Sequence, residues 1–146
     1  MTYKNSLIII CSIFLFIGCS KEENDNIISY EIILESMLSY SDQNQVLKQF
    51  KIFESEDEWN NFIPESERVN PRNAENLRNL DYDFSNHNLI IVIGRFHNYC
   101  CTKIHINRVY KKEDKVIVDF EESGPGNVAG AALSQSYLLV KIKKEE

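Results

Sequence analysis

The stretch Leu89-Ile90-Ile91-Val92-Ile93-Gly94 decides the fold of this chain of 146 residues. Its first five residues are all apolar and four of them are β-branched, so no polar face remains. Such a run predicts a strand that is covered on both faces, and the glycine marks its end. Because a strand of this kind needs neighbours on both sides, we expect residues 89–93 at the centre of the sheet.

The residues after this run alternate between apolar and polar, which is typical of half-covered strands. In segment 100–110 the inward set is Cys100, Thr102, Ile104 and Ile106, and the outward set is Lys103, His105 and Asn107. Glu113 and Asp114 form a turn into a strand at residues 116–120, which gives a hairpin. A last strand spans residues 137–142, so the C-terminal part is predicted as a β-meander.

The residues before the run predict two strands and two short helices. The strand pattern occupies residues 28–35 and 46–53, with a turn at residues 41–44 between them. The fold predicted from the whole pattern is α+β. An antiparallel sheet of about five to six strands carries the two short helices packed on it.

The bounds of the two helices follow from their capping residues. Ser55 and Glu58 have the spacing of a capping box, so the first helix begins there and ends at Pro64. The acid-rich stretch at residues 54–58 is explained by this helix start, where acids are favoured. Asn70 and Pro71 start a second helix that runs to residue 80.

The first 18 residues differ in kind from the rest. Lys4 precedes an apolar stretch at residues 7–17, which is shorter than the roughly 20 apolar residues that cross a bilayer. This arrangement predicts a signal peptide at residues 1–18. The sequence Phe16-Ile17-Gly18-Cys19 resembles a bacterial lipobox, whose cysteine is lipidated. We therefore expect a membrane anchor at Cys19.

A polar stretch follows Cys19 and predicts how the domain is attached. Residues 19–27 are expected to form a flexible tether, and residues 28–146 a single domain. Lys21-Glu22-Glu23 is similar to an export signal for the outer face of the outer membrane, so we expect surface display there. Without residues 1–18 the chain has 15 basic and 22 acidic residues, which argues against nucleic acid as a partner.

Cys100 and Cys101 are the cysteines of the predicted domain, and the compartment is oxidising. A disulfide between these neighbours, a bridge between molecules and a buried Cys100 thiol are the alternatives, and we expect the buried thiol. His97, Cys100, Cys101 and His105 have spacings that suit zinc, but Cys100 and Cys101 are adjacent on a strand and point to opposite faces, which leaves at most three ligands on one side. We expect no metal and no cofactor. Cys101 and His105 lie about 13 Å apart on a strand, too far for a nucleophile pair, and we expect no catalytic residue.

Two loops carry the candidate residues for partner binding. Residues 94–99 follow the central strand, and residues 124–130 follow a later strand that runs the same way in a meander. Both loops are therefore expected at one edge of the sheet, where exposed aromatic and arginine side chains anchor partners. The candidates are Arg95, Phe96, Tyr99, Gly124, Pro125, Gly126 and Asn127, and Phe96 is equally compatible with a place in the core.

Five segments in order give the chain a family resemblance. They are FESEDEW at 53–59, DFS at 83–85, LIIVIG at 89–94, EESGPG at 121–126 and SYLLVKI at 136–142. With them, residues 51–143 resemble the PrcB C-terminal domain family, secreted and lipid-anchored modules named after a subunit of a bacterial surface protease complex. The chain departs from the family at residues 97–102, where a glycine-rich turn is common. Because that turn is the part that also resembles chagasin-like inhibitors, the departure argues against an inhibitor function.

The function expected from these features is binding rather than catalysis. The resemblance implies a non-enzymatic module that stabilises or contacts a protease complex, so a protein partner is expected. A protease inhibitor and a carbohydrate or small-ligand binder are the alternatives.

Overall fold

Seven strands and two helices make up the part of the chain described by the computed structural model, residues 26–39, 48–69, 71–124 and 133–144. The strands are β1 (Asn26–Ile27), β2 (Tyr30–Ser39), β3 (Gln49–Phe53), β4 (His87–His97), β5 (Lys103–Lys112), β6 (Lys115–Ser123) and β7 (Ser134–Lys143). The helices α1 (Glu56–Val69) and α2 (Pro71–Arg78) follow β3. The predicted α+β class is confirmed. Neither helix has the length and apolar character needed to span a membrane.

The strands form two antiparallel sheets, whereas the sequence predicts one sheet of five to six strands. One sheet has the order β2-β7-β4-β3, and the other has the order β1-β5-β6. The last four strands are not a meander, because β4 pairs with β7 and β3 and leaves β5 to the second sheet. The reason is that β4 is apolar on both faces, so the hairpin of β5 and β6 covers one face while the helices cover the other.

The two faces of β4 belong to two separate cores, which confirms its predicted place inside the sheet. The core on the helix side includes Leu89, Ile91, Ile93, Trp59 and Phe62. The core between the sheets includes Ile90, Val92, Val109, Leu138 and Val140. Each large apolar side chain that is fully buried contributes roughly 1.5–3 kcal/mol. The run at residues 89–93 therefore fixes a three-layer arrangement of helices, sheet and sheet.

Helix α1 begins where the sequence predicts. Ser55 Oγ accepts the N–H of Glu58 at 3.3 Å, so Ser55 is the N-cap. Glu58 Oε2 accepts the N–H of Glu54 at 2.8 Å, one residue further back than in a capping box. Both contacts satisfy amide groups at the helix entrance.

The predicted end of α1 at Pro64 is wrong, since the helix continues to Val69 with Pro64 inside it. Proline removes one helical hydrogen bond and crowds the preceding turn. Ser66 is nevertheless buried one turn beyond the buried Phe62 and Ile63. Packing of this face outweighs the cost of the proline.

The hairpin of β5 and β6 has the predicted turn. Glu113 and Asp114 have φ values of 48° and 61°, the two left-handed residues that a type I′ turn requires. The register of β5 shifts between Ile106 and Arg108, so the inward alternation passes from even to odd positions there. Beside this turn, on the edge opposite β6, Asn26 and Ile27 pair with β5, so these two residues of the predicted tether form a strand, while Cys19 and the rest of the tether lie outside the described residues.

Candidate functional site

The ends of β4 and β6 and the starts of β5 and β7 meet at one end of the molecule, called the loop end here. His97 pairs with Ser134, and Lys103 pairs with Ser123. Arg95 and Phe96 are among the last three residues of β4, Tyr99 follows that strand, and Gly124 follows β6. The structure thus brings these four candidates together at the loop end. Pro125, Gly126 and Asn127 lie outside the described residues.

Glu122 is the centre of a polar cluster at the loop end. Its side chain is only 9% exposed, and its Oε2 accepts the backbone N–H of Arg95 at 2.7 Å. The same oxygen lies 3.2 Å from His97 Nε2. The other oxygen lies 3.1 Å from Lys48 Nζ. Since Glu122 is in β6 and Arg95 and His97 are in β4, this one carboxylate joins the two sheets.

The charge of Glu122 is stabilised by its donors. Burial raises the pKa of its carboxyl, but the hydrogen bonds from the Arg95 N–H, Lys48 and His97 together hold that pKa below its usual value. The group is therefore a carboxylate at neutral pH. Because its lone pairs are directed at fixed donors, it holds the backbone of β4 in place.

Gly94 makes room for this carboxylate. A Cβ atom at Gly94 would lie 2.6 Å from Oε2 of Glu122, well inside van der Waals contact. The Gly94 carbonyl accepts a hydrogen bond from Gln135 Nε2 at 2.7 Å. The sequence predicts that Gly94 ends the strand, but β4 continues to His97. The glycine is needed for the close approach of Glu122 rather than for a turn.

The segment between β4 and β5 is fastened to the start of β7. Ser134 Oγ donates to the Tyr99 carbonyl at 2.7 Å. Ser136 Oγ donates to the Thr102 carbonyl and lies 2.9 Å from the Thr102 hydroxyl. The ring of Tyr99 packs on that of His97, with centroids 4.9 Å apart. The loop is therefore held at both ends.

Cys100 and Cys101 form a disulfide between adjacent residues. The expectation of a buried Cys100 thiol is wrong, since the residue is half-buried and its sulfur is bonded. The strand geometry assumed for the pair does not hold, because β5 begins only at Lys103 and Cys101 has φ = 80°. In that left-handed conformation the two sulfurs lie on one side. The disulfide adds a covalent ring to the loop between the two serine clamps.

The described histidines and cysteines are His87, His97, His105, Cys100 and Cys101. In the part of the chain that the structure describes, no group of three His, Cys, Asp or Glu side chains is placed to hold a metal ion. His97 contacts Glu122, and His105 Nε2 lies 2.9 Å from the Ser123 hydroxyl. Both sulfurs are in the disulfide.

The outer surface of the loop end combines an exposed cation with aromatic rings. The Arg95 side chain is 71% exposed, although its Nε lies 3.8 Å from Oε1 of Glu122 and its backbone N–H is bonded to the other oxygen. Phe96 and Tyr99 are half-buried. Beside Arg95 is a recess of about 350 Å³ lined by Lys48, Arg95, His97, Phe120, Glu121 and Glu122. The arrangement suits contact with a partner surface.

Glu122 and Lys48 were not identified as site residues from the sequence, although one signal was available for Glu122. Val116, Val118 and Phe120 pack toward the core between the sheets. Position 122 continues this alternation, so an acid there faces inward and needs donors. No comparable pattern marks Lys48.

Comparison with protein-family models, with curated proteins and with solved structures finds no match to this chain.

Proposed function

We propose that this protein is a lipid-anchored, non-enzymatic module that binds another protein through its loop end. The observation that carries the proposal is Arg95, whose backbone is bonded to the buried Glu122 while its side chain is 71% exposed. Arginine and aromatic residues supply a large share of the binding energy at protein interfaces. A fixed backbone reduces the ordering cost that binding would otherwise incur.

The rigidity of the neighbouring loop supports the same proposal. Tyr99 and Thr102 are each clamped by a serine of β7, and the disulfide of Cys100 and Cys101 lies between them. Preformed surfaces bind with little rearrangement. The segment between β4 and β5 is therefore a prepared contact surface rather than a loop that must order on binding.

The place of this module in the cell is part of the proposal. Residues 1–18 act as a signal peptide, Cys19 carries the lipid, and the domain is displayed at the outer membrane surface. The resemblance of residues 51–143 to PrcB C-terminal domains supports a protease complex as the partner. Phe96 and Gly124 complete the contact surface around Arg95 and Tyr99.

The test is capture of the partner from detergent-solubilised membranes with the wild-type chain and with the double variant Arg95→Ala, Tyr99→Ala. We expect the variant to keep its melting temperature and to lose at least nine-tenths of the captured partner, because two hot-spot side chains cost several kcal/mol together. Arg78→Ala is the matched control, since Arg78 is an exposed arginine on α2. Full capture by the double variant would place the binding site elsewhere.

A further inference from the structure

The two edges of the four-stranded sheet differ in how they are protected. β3 is an edge of five residues, and Lys51 in its middle lies over the rings of Phe53 and Phe62. Short length and a lysine are common protections of an edge strand. β2 is an edge of ten residues that contains no lysine, arginine or proline. Among the described residues no strand pairs with the outer side of β2.

The exposed apolar side chains of the described residues lie on β2 or just before it. They are Ile27, Tyr30, Ile32 and Met37, of which Ile32 is 47% and Met37 41% exposed. Exposed apolar residues on an edge that lacks lysine, arginine and proline mark a surface that can accept another strand. An occupant of such an edge is in extended conformation, because a strand matches the spacing of the backbone groups along the edge.

The side chains of β2 define what that strand must carry. Ile32, Glu35 and Met37 pair with Val140, Leu138 and Ser136, so all three lie on the face toward the second sheet. The register shifts at Ile33, which places Glu35 midway between Ile32 and Met37 on this face. A strand paired with β2 therefore meets an apolar, an acidic and an apolar side chain at alternate positions. The complementary pattern is apolar, any, basic, any, apolar.

A second copy of the chain does not meet this requirement. Ile33 has no partner in the register of β2, and without it Glu35 is the central residue of the strand. Antiparallel pairing of two β2 strands along their whole length would therefore place Glu35 of one copy opposite Glu35 of the other. Like charges directly opposite each other destabilise a strand pair. The chain's net charge of −6 adds repulsion between copies.

We propose that β2 is a second binding site, which takes an extended segment of a different protein with a lysine or arginine opposite Glu35 and apolar residues opposite Ile32 and Met37. The segment extends the four-stranded sheet by one antiparallel strand. At about 3.4 Å per residue, the strand offers a contact roughly 30 Å long. The site uses other residues than Arg95 and Tyr99, although Glu35 and Met37 line a recess together with Cys101, Thr102 and Lys103.

The test is a titration of the full chain in detergent micelles with the capped peptide TVTKTVT, followed by the NMR amide signals of β2 and β3. We expect the signals of residues 30–39 to shift and those of residues 49–53 to stay. In Glu35→Lys the affinity for TVTKTVT should fall about tenfold, whereas TVTETVT should now bind better than TVTKTVT. Ile32→Lys should weaken both peptides. Glu75→Lys makes the same charge change on α2 and should leave the titration unchanged.

Three results would overturn the proposal. The first is the absence of shifts in β2 at millimolar TVTKTVT. The second is equal binding of the two peptides by wild type and Glu35→Lys. The third is a dimer in sedimentation at neutral pH that Ile32→Lys dissociates, which would assign the edge to a second copy. Because this titration uses no residue of the loop end, its failure leaves the capture experiment with Arg95 and Tyr99 intact, and the converse also holds.

Discussion

Replacing Glu122 by glutamine tests whether one buried carboxylate holds the two sheets together. The substitution keeps the shape of the side chain and one acceptor oxygen, and it removes the negative charge. The donors that lose this charge are the Arg95 N–H at 2.7 Å, His97 Nε2 at 3.2 Å and Lys48 Nζ at 3.1 Å, and the exposed Arg95 Nε at 3.8 Å loses a weaker ion pair. The free energy of unfolding should therefore fall.

The size of the loss follows from the exposure of each donor. Lys48 is 35% exposed, so water replaces much of its interaction, and such a pair contributes about 0–1 kcal/mol. The Arg95 N–H and the ring of His97 have less access to water. Hydrogen bonds to a charged group contribute about 1.5–3 kcal/mol each, and a neutral amide retains part of this. We expect Glu122→Gln to lower the free energy of unfolding by about 1–2 kcal/mol at neutral pH.

The loss should depend on pH in one direction. The folded state holds the pKa of Glu122 below its ordinary value of 4.5, so the carboxylate contributes stability above about pH 4.5. That contribution disappears as the pH falls through the folded-state pKa, where the wild type becomes neutral like the variant. The difference in free energy of unfolding between the two proteins should therefore have its full size at pH 7 and disappear in acid.

Urea denaturation followed by the fluorescence of Trp59, the single tryptophan, measures this difference. Glu121→Gln is the matched control, because Glu121 is the exposed neighbour of Glu122 on the same strand. It should change the stability by less than about 0.5 kcal/mol. If Glu122→Gln and Glu121→Gln behave alike at pH 7, or if the gap for Glu122→Gln persists unchanged in acid, the carboxylate does not join the sheets.

Three further predictions concern the anchor, the core and the packing around Glu122. Cys19→Ala should abolish palmitate labelling of the chain, and retained labelling would contradict the anchor. Trp59→Ala should lower the free energy of unfolding by about 3–5 kcal/mol, because the indole packs against Phe53 with ring centroids 5.0 Å apart. A loss below about 1 kcal/mol in calorimetry would be inconsistent with this packing. Gly94→Ala should lower the free energy of unfolding by about 1–3 kcal/mol, because the added methyl group displaces the Glu122 carboxylate. The loss should be smaller in the Glu122→Ala background, and equal losses in a double-mutant cycle would refute the contact.

The sequence predicts those parts of the fold that depend on local patterns. The apolar run at residues 89–93, the N-cap at Ser55 and the turn at Glu113 and Asp114 each follow from side-chain chemistry within a few residues. Two local rules failed where distant contacts decide, namely that the helix ends at Pro64 and that the central strand ends at Gly94. Pro64 stays inside a helix because Ser66 and Phe62 pack on the core.

The pairing of strands and the site depend on contacts between distant residues, which alternation does not encode. A hairpin that covers a neighbouring sheet has the same local pattern as one that continues it, so the meander was predicted in place of two sheets. The Cys100–Cys101 disulfide depends on the left-handed conformation of Cys101, which the extended pattern of residues 100–106 conceals. Glu122 meets Lys48 and Arg95 across 74 and 27 positions of sequence.

The proposed lipid anchor gives Glu35 a further role. Anchored chains are concentrated in two dimensions, and an unprotected edge strand is a template for pairing with another copy. In β2 the usual protections by lysine and proline are absent, yet they would also exclude the strand that the edge is proposed to bind. A single acid at the centre of the strand resolves this conflict, because two copies that pair along the whole strand bring two negative charges together whereas a basic segment gains an ion pair. Glu35→Leu should therefore create dimers in sedimentation of the detergent-solubilised chain at neutral pH while Glu75→Leu does not. A monomeric Glu35→Leu chain would mean that this charge does not keep the copies apart.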